Sequence, residues 1–158
     1  MFNGLNRHRI IKMLKQLEID EWQEYIDLRE QMSGYRIKLS KTEFIQKYES
    51  MLNQGSSIYM FHKNDKIVGT IKTFIEIKLY DSVGRIEDVV VNERDRCLCI
   101  GTEMIKQAID ILREQCCYKI LVSTRKELER FYTNIGLKVT GVEVELSTPV
   151  RHISTNLS

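Results

Sequence analysis

Between residues 85 and 122 the sequence runs from a strand-forming stretch through a fifteen-residue amphipathic stretch to a second strand-forming stretch, and this succession constrains the fold more than anything else in the chain. Within residues 101–115, Met104, Ile105, Ala108, Ile109 and Leu112 fall on one helical face, which has to be buried against another layer. The flanking runs, residues 85–91 and 118–122, are rich in β-branched residues and predict the sheet on which that helix packs.

The first of these strands contains a conflict. In a regular pleat Asp88 shares a face with Ile86 and Val90, and burying its carboxylate there costs several kcal/mol. Two solutions are open: a β-bulge near Asp88, a feature that gathers beside active sites, or an edge strand with Asp88 in water. The loop that follows, Arg94-Asp95-Arg96-Cys97-Leu98-Cys99-Ile100-Gly101, is basic and opens the helix. Free N–H groups and the positive end of the helix dipole make such a junction suited to phosphate, although a solvated basic loop reads the same way. It is neither a P-loop nor a dinucleotide fingerprint.

Around this unit, residues 10–17 read as a strand. Residues 20–34 read as a helix opened by a box at Asp20, and residues 40–55 as another opened by Ser40-Lys41-Thr42-Glu43. Residues 58–62 and 67–79 form a hairpin around Lys63-Asn64-Asp65-Lys66. After residue 122, Thr124-Arg125-Lys126-Glu127 opens a short helix through Asn134 that stops at Gly136. Two closing strands, 137–140 and 142–146, complete the order. This is one domain, residues 1–147, followed by a polar tail, 148–158. On the short helix Leu128, Phe131 and Ile135 form the core stripe, and Tyr132 lies at its edge, placed either to pack or to donate a proton.

Twenty-four basic and 22 acidic residues give a net charge of +2, which leaves no footprint for a nucleic-acid partner. No run approaches the roughly 18 apolar residues of a membrane span, so a cytoplasmic protein is expected, with a transit peptide at the basic N-terminus as the minor alternative. The cysteines fall in two pairs, Cys97 with Cys99 and Cys116 with Cys117. The intervening helix separates them by about 22 Å, too far for one zinc or a disulfide, so free thiols and no metal are expected. Cys97 or Cys99 at a helix start could be nucleophilic, but no base stands near either in the sequence. His8, His62 and His152 are scattered.

The succession of elements, with Gly84-Arg85-Ile86-Glu87-Asp88-Val89-Val90-Val91, Cys117-Tyr118-Lys119-Ile120, Phe131-Tyr132, Gly136 and Gly141-Val142-Glu143, resembles the GNAT acetyltransferases. Within them it is most similar to the glucosamine-6-phosphate N-acetyltransferases. The likeness covers residues 10–146 and is strongest from 76 to 143. It implies an α/β (α+β) fold with a mixed, mostly antiparallel sheet of about seven strands flanked by four helices. It also implies transfer of acetyl from acetyl-CoA to a primary amine, glucosamine 6-phosphate, without a covalent enzyme intermediate, as part of amino-sugar and UDP-N-acetylglucosamine synthesis. Alternatives are a GNAT enzyme for another amine and a non-catalytic acyl-CoA-binding module.

By the same resemblance Arg96, Cys97, Leu98, Cys99, Ile100, Gly101 and Thr102 hold the CoA pyrophosphate, and the backbone of Val89, Val90 and Val91 pairs with pantetheine. Glu87 and Asp88 hold the sugar and orient its amine, and Tyr132 protonates the departing thiolate. Ser33, Glu76 and Lys78 contact substrate, as do Tyr118 and Lys119 from the partner subunit of a homodimer. The chain departs from the family pattern at Cys99, which replaces a glycine, at Ser123 in place of an acid, and at Leu128 in place of an Asn. Ser147 stands where an Arg binds the sugar phosphate, and Arg151 is a candidate substitute.

Overall fold

The structure, a computed structural model, describes residues 12–96 and 98–147. Residues 10 and 11 of the expected first strand, Cys97, and the 148–158 tail with Arg151 lie outside the described residues. The chain forms two compact units, Met1–Thr124 and Arg125–Ser158.

The first unit is a five-stranded sheet in the order β1-β2-β3-β4-β5: Lys12–Gln16, Ser56–Lys63, Lys66–Ile77, Ser82–Val91 and Cys117–Val122. The first four pair antiparallel and β4 pairs with β5 in parallel. The β2–β3 hairpin closes through Asn64 and Asp65, both at positive φ, as the turn chemistry predicted. One face carries α1, Trp22–Ser33, and α2, Lys41–Asn53. The other carries α3, Ile100–Glu114.

Local chemistry sets the helix ends. Ser40 Oγ accepts from the Glu43 N–H while the Glu43 carboxylate accepts from the Ser40 N–H, closing the predicted capping box of α2. The bonds to Ser40 hold the Glu43 carboxyl below its ordinary range. The box expected at Asp20 lies earlier: a 3-10 turn, Ile19–Glu21, precedes α1, and Glu21 accepts from the Glu18 N–H. A glutamate reaches back across a short turn as readily as an aspartate caps it, so the pattern was displaced by two residues.

The two faces pack differently. On the α3 side two glycines let the helix sit close to the strands. A Cβ on Gly84 would lie 2.9 Å from Leu112 Cδ1, and one on Gly69 would lie 2.7 Å from Met104 Sδ. On the other side the rings of Trp22 and Tyr25 tilt against Phe44, which stacks on Tyr48. They share a core with Leu17, Ile26, Leu28, Ile58, Met60 and Val90. Each fully buried side chain of this kind contributes about 1.5–3 kcal/mol. The Tyr48 hydroxyl donates to the Leu17 carbonyl, and burial pushes this phenol upward. No helix among the described residues is long and apolar enough to cross a membrane.

The second unit contains a 3-10 turn, Lys126–Leu128, and α4, Glu129–Ile135, which ends at Gly136 in a left-handed conformation. The N-cap of the turn is Arg125, one residue after the Thr124 expected to open the helix. Tyr132, expected at the edge of the core stripe, is buried, whereas Leu128 is half-exposed. α4 starts later than expected, so Leu128 precedes it and is not part of its helical face. The two closing strands are not formed: residues 137–147 have no regular structure, and Val142, Val144 and Leu146 are about nine-tenths exposed. Alternation marks a residue run that suits a strand, but a strand exists only through a ladder partner, and among the described residues this run has none. The sheet therefore has five strands rather than seven, within the expected class.

Candidate active site

The Asp88 conflict is resolved by a bulge. The β3–β4 register runs from Lys72↔Glu87 to Thr70↔Val90, so Ile71 faces two residues, Asp88 and Val89. Asp88 sits at φ +52°, a conformation that aspartate tolerates better than most residues. The extra residue carries the side chain of Asp88 from the α3 face, where Ile86 points, to the α1 face. There it meets Arg29 Nη1 at 2.8 Å and Lys72 Nζ at 3.5 Å. Lys72 also bonds Glu87 Oε2 at 2.7 Å. Two carboxylates and two cations thus form a compact, half-buried cluster. Burial works against the charge on Lys72, but its bonds to Glu87 and Asp88 outweigh that and hold the ammonium above its ordinary range. Tyr25 lies in the same neighbourhood: burial pushes its phenol up, Arg29 opposes this and Asp88 adds to it.

At the same place β4 parts from its neighbour. The parallel ladder ends at Ile86↔Val122, and from Glu87 to Val91 no described strand pairs on the β5 side. Backbone donors and acceptors on that edge are available to an extended ligand; of these, the Val91 carbonyl accepts from Arg96 Nε at 3.3 Å. The side chains of Val90 and Ile100 are buried, so these residues offer only backbone.

The loop then delivers α3. Its N-cap is Cys99, left-handed at φ 57°, whose side chain caps none of the first-turn N–H groups. The amides of Ile100, Gly101 and Thr102 have no partner within the helix, so they and the dipole face outward. Leu98 is exposed and Arg96 sits against Glu93 at 3.9 Å. An open strand edge running towards a helix N-terminus with an Arg beside it suits a ligand with an amide-bearing arm and a phosphate head. Among the described residues no group of His, Cys, Asp and Glu could hold a metal ion.

The remaining predicted residues divide. Ser33 lies one turn beyond Arg29 on α1 and is held by Tyr35 through its Oγ. Glu76 bonds Lys78 and, at 3.4 Å, Arg85, which holds its carboxyl below the ordinary range. It lies four residues along β3 from Lys72, roughly 13 Å away. Tyr118 and Lys119 start β5 beside Ser82 and Val83, at the far end of β4 from the bulge, with the Lys119 ammonium 5.4 Å over the Tyr118 ring. In the second unit Tyr132 is buried, edge-on to Phe131. Sequence reading missed Arg29, Lys72 and Tyr25. Only the strand register brings Lys72 opposite Glu87, and only packing brings α1 over the bulge.

The fold and the site define a mixed-sheet acyltransferase, with a bulged strand splitting from a parallel neighbour above a helix N-terminus. The sequence profile of the Acetyltransferase (GNAT) family matches residues 13–137, and the chain belongs to that family. It is 26% identical over 141 residues to glucosamine 6-phosphate N-acetyltransferase 1 of Dictyostelium discoideum, covering 84% of this chain and 88% of that one. A Trypanosoma brucei acetyltransferase superposes with a TM-score of 0.81 at 24% identity, over 87% of this chain and all of the other. Glucosamine-6-phosphate N-acetyltransferase of Arabidopsis thaliana gives 0.79 at 23%, over 88% and 99%. The chain is an N-acetyltransferase, and enzymes of this family use acetyl-CoA.

Proposed function

We propose that the chain transfers the acetyl group of acetyl-CoA directly to a primary amine held at the Asp88 bulge. The observation that carries this reading is the coincidence, within β4, of the bulge, the loss of the β5 partner and the approach to the α3 N-terminus. The first-turn amides of α3 and Arg96 face the pyrophosphate, and the open edge of Val89–Val91 pairs with pantetheine. Glu87 and Asp88 orient the amine, so that rate is gained chiefly by alignment. The neutral amine nitrogen bonds to the thioester carbon, the C–S bond breaks, Tyr132 gives its proton to the departing thiolate, and the proton shed by the acylated nitrogen returns through solvent to the phenolate. No enzyme nucleophile is acylated.

The names of the relatives support glucosamine 6-phosphate as acceptor. On the same reading the enzyme is a cytoplasmic homodimer whose partner copy supplies Tyr118 and Lys119. The family match crosses both compact units, which supports residues 1–147 working as one acetyltransferase domain. A second reading, another amine, is favoured at Ser147. Where the family has an Arg for the sugar phosphate, Ser147 is exposed and bonds Glu145, an anion that repels phosphate. A thiol-release assay with acetyl-CoA and a panel of amines separates the readings. Release with glucosamine 6-phosphate above all other amines supports the first, release with a different amine the second. Binding of acetyl-CoA without release on any amine would reduce the protein to an acyl-CoA-binding module.

A further inference from the structure

Acyl transfer needs the lone pair of the acceptor nitrogen, but a primary alkyl amine with a pKa of ~10.4 is free of its extra proton in only about one molecule in a few thousand at neutral pH. The charges around the bulge decide how far that proportion rises on binding. In a regular strand Glu87 and Asp88 would point to opposite faces. The bulge turns both carboxylates to one face, where Lys72 Nζ reaches them at 2.7 and 3.5 Å. Two carboxylates by themselves would hold an acceptor as its ammonium and withhold the lone pair.

Two cations cancel them. Arg29 reaches Asp88 from α1 at 2.8 Å and Lys72 bridges both acids, so the formal charge over the four side chains is zero. The side chains of Arg29 and Lys72 are only 21% and 20% exposed, which limits screening by water and salt. Lys72 keeps its charge, because its bonds to the two carboxylates outweigh its burial. Neighbours from the other elements leave the sum unchanged. Burial pushes the phenols of Tyr25 on α1 and Tyr48 on α2 upward, so both are neutral. Lys47 of α2 faces Glu43 on its own helix, β2 offers the apolar Ile58 opposite Lys72, and Glu76, Lys78 and Arg85 pair with one another.

We propose that Lys72, supported by Arg29, is the residue that sets the bound acceptor free of its proton. Its fixed positive charge offsets the carboxylates that align the amine, so the ammonium gives a proton to solvent and the neutral nitrogen then attacks. Lys72 is a positioning residue that acts through Glu87 and Asp88. The inference rests on the acyl-transfer reading of the bulge and adds to it how the nucleophile is released.

The test is the pH dependence of kcat in the full-length protein, at saturating acetyl-CoA and with chemistry rate-limiting, because the acidic limb of kcat reports ionisation in the bound complex. Thiol release is followed with glucosamine 6-phosphate and with glucosamine, which lacks the titrating phosphate; where neither turns over, the amine of the panel with the fastest release serves. Lys72→Met should move the acidic limb up by about one pH unit, so that kcat falls roughly tenfold on that limb and less as pH rises. Lys72→Arg keeps the charge and should keep the limb of the wild type. Glu87→Gln removes a charge of the opposite sign and should move the limb down, whatever its loss in rate.

A loss in Lys72→Met that is the same at every pH would overturn the proposal and leave acyl transfer intact, as would a limb that moves equally in Lys72→Arg. Should Lys72→Met fail to fold, Glu87→Gln decides alone: a limb that stays or moves up overturns the proposal. Absence of thiol release on every amine would instead overturn the acyl-transfer reading.

Discussion

The two halves of β4 are built to opposite rules. From Ser82 to Ile86 the strand is paired on both sides, antiparallel with β3 and parallel with β5, and Gly84 lies under Leu112 of α3. From Glu87 to Val91 one edge has no strand partner among the described residues, the ladder is bulged, Asp88 sits at positive φ, and four charged side chains meet beside it. The paired half satisfies its backbone internally and so contributes stability. The other half leaves backbone groups on one edge without a strand partner among the described residues, as a binding site requires, while its four charges pair with one another. A single strand therefore ties the site to the most constrained part of the sheet, and this separation of roles can be tested by substitution on each side of residue 86.

The largest effect is expected from Asp88→Asn. Asparagine also tolerates the left-handed conformation, so the bulge remains while the charge goes. A hydrogen bond to a charged group is worth about 1.5–3 kcal/mol, so kcat/KM for the acceptor should fall roughly 10- to 100-fold, with a smaller loss in urea unfolding because Arg29 and Lys72 each lose an ionic partner. A large stability loss with activity kept would erase the distinction between the halves.

Tyr132→Phe asks whether the open half aligns the reactants while the proton comes from α4. A drop in kcat of at least about tenfold at unchanged acetyl-CoA affinity is expected, a modest share of what general acid catalysis supplies. Unchanged kcat with chemistry rate-limiting would remove this role.

Gly84→Val probes the paired half. The added side chain meets Leu112 at 2.9 Å from its first carbon, and overpacking of this kind costs about 1–3 kcal/mol. Denaturant titration should show that loss while turnover per folded molecule is preserved.

Cys99→Gly is a smaller test at the end of the open half. Removing the Cβ from a left-handed residue relieves roughly 1–2 kcal/mol, partly offset by the greater freedom of glycine when unfolded, so a gain of about 0.5–1 kcal/mol is expected. Acetyl-CoA affinity should hold or tighten, and weaker binding would show that the thiol itself contacts the ligand.

The smallest effect concerns pH. The folded value of Lys72 is raised above its ordinary 10.5, so its stabilisation is complete below that value and is lost as pH climbs through the folded one. As pH rises above about 10 the wild-type Tm should fall more steeply than that of Lys72→Met. Parallel curves would mean that the ion cluster contributes nothing to folding.

Short-range chemistry was legible in the sequence. The capping box at Ser40, the turn at Asn64-Asp65 and the single face of α3 each follow from residues close in sequence, as does the Asp88 conflict, for which a bulge was one of two solutions. Their causes, caps, positive φ, 3.6-residue periodicity and the period-2 pleat, act over a few residues. The first and last helix boundaries moved by a few residues because neighbouring side chains compete for the same backbone groups.

The sequence by itself determined the order of elements in the first unit and the family. Tertiary structure decided what lies around the Asp88 bulge. Arg29 meets Asp88 across 59 positions and Ile58 aligns with Lys72 and Glu87 through strand register, and neither distance along the chain nor local periodicity encodes such meetings. It also decided that residues 137–147, strand-like in pattern, have no ladder among the described residues: alternation depends on a residue and its neighbours, whereas a β-strand requires another segment at hydrogen-bonding distance.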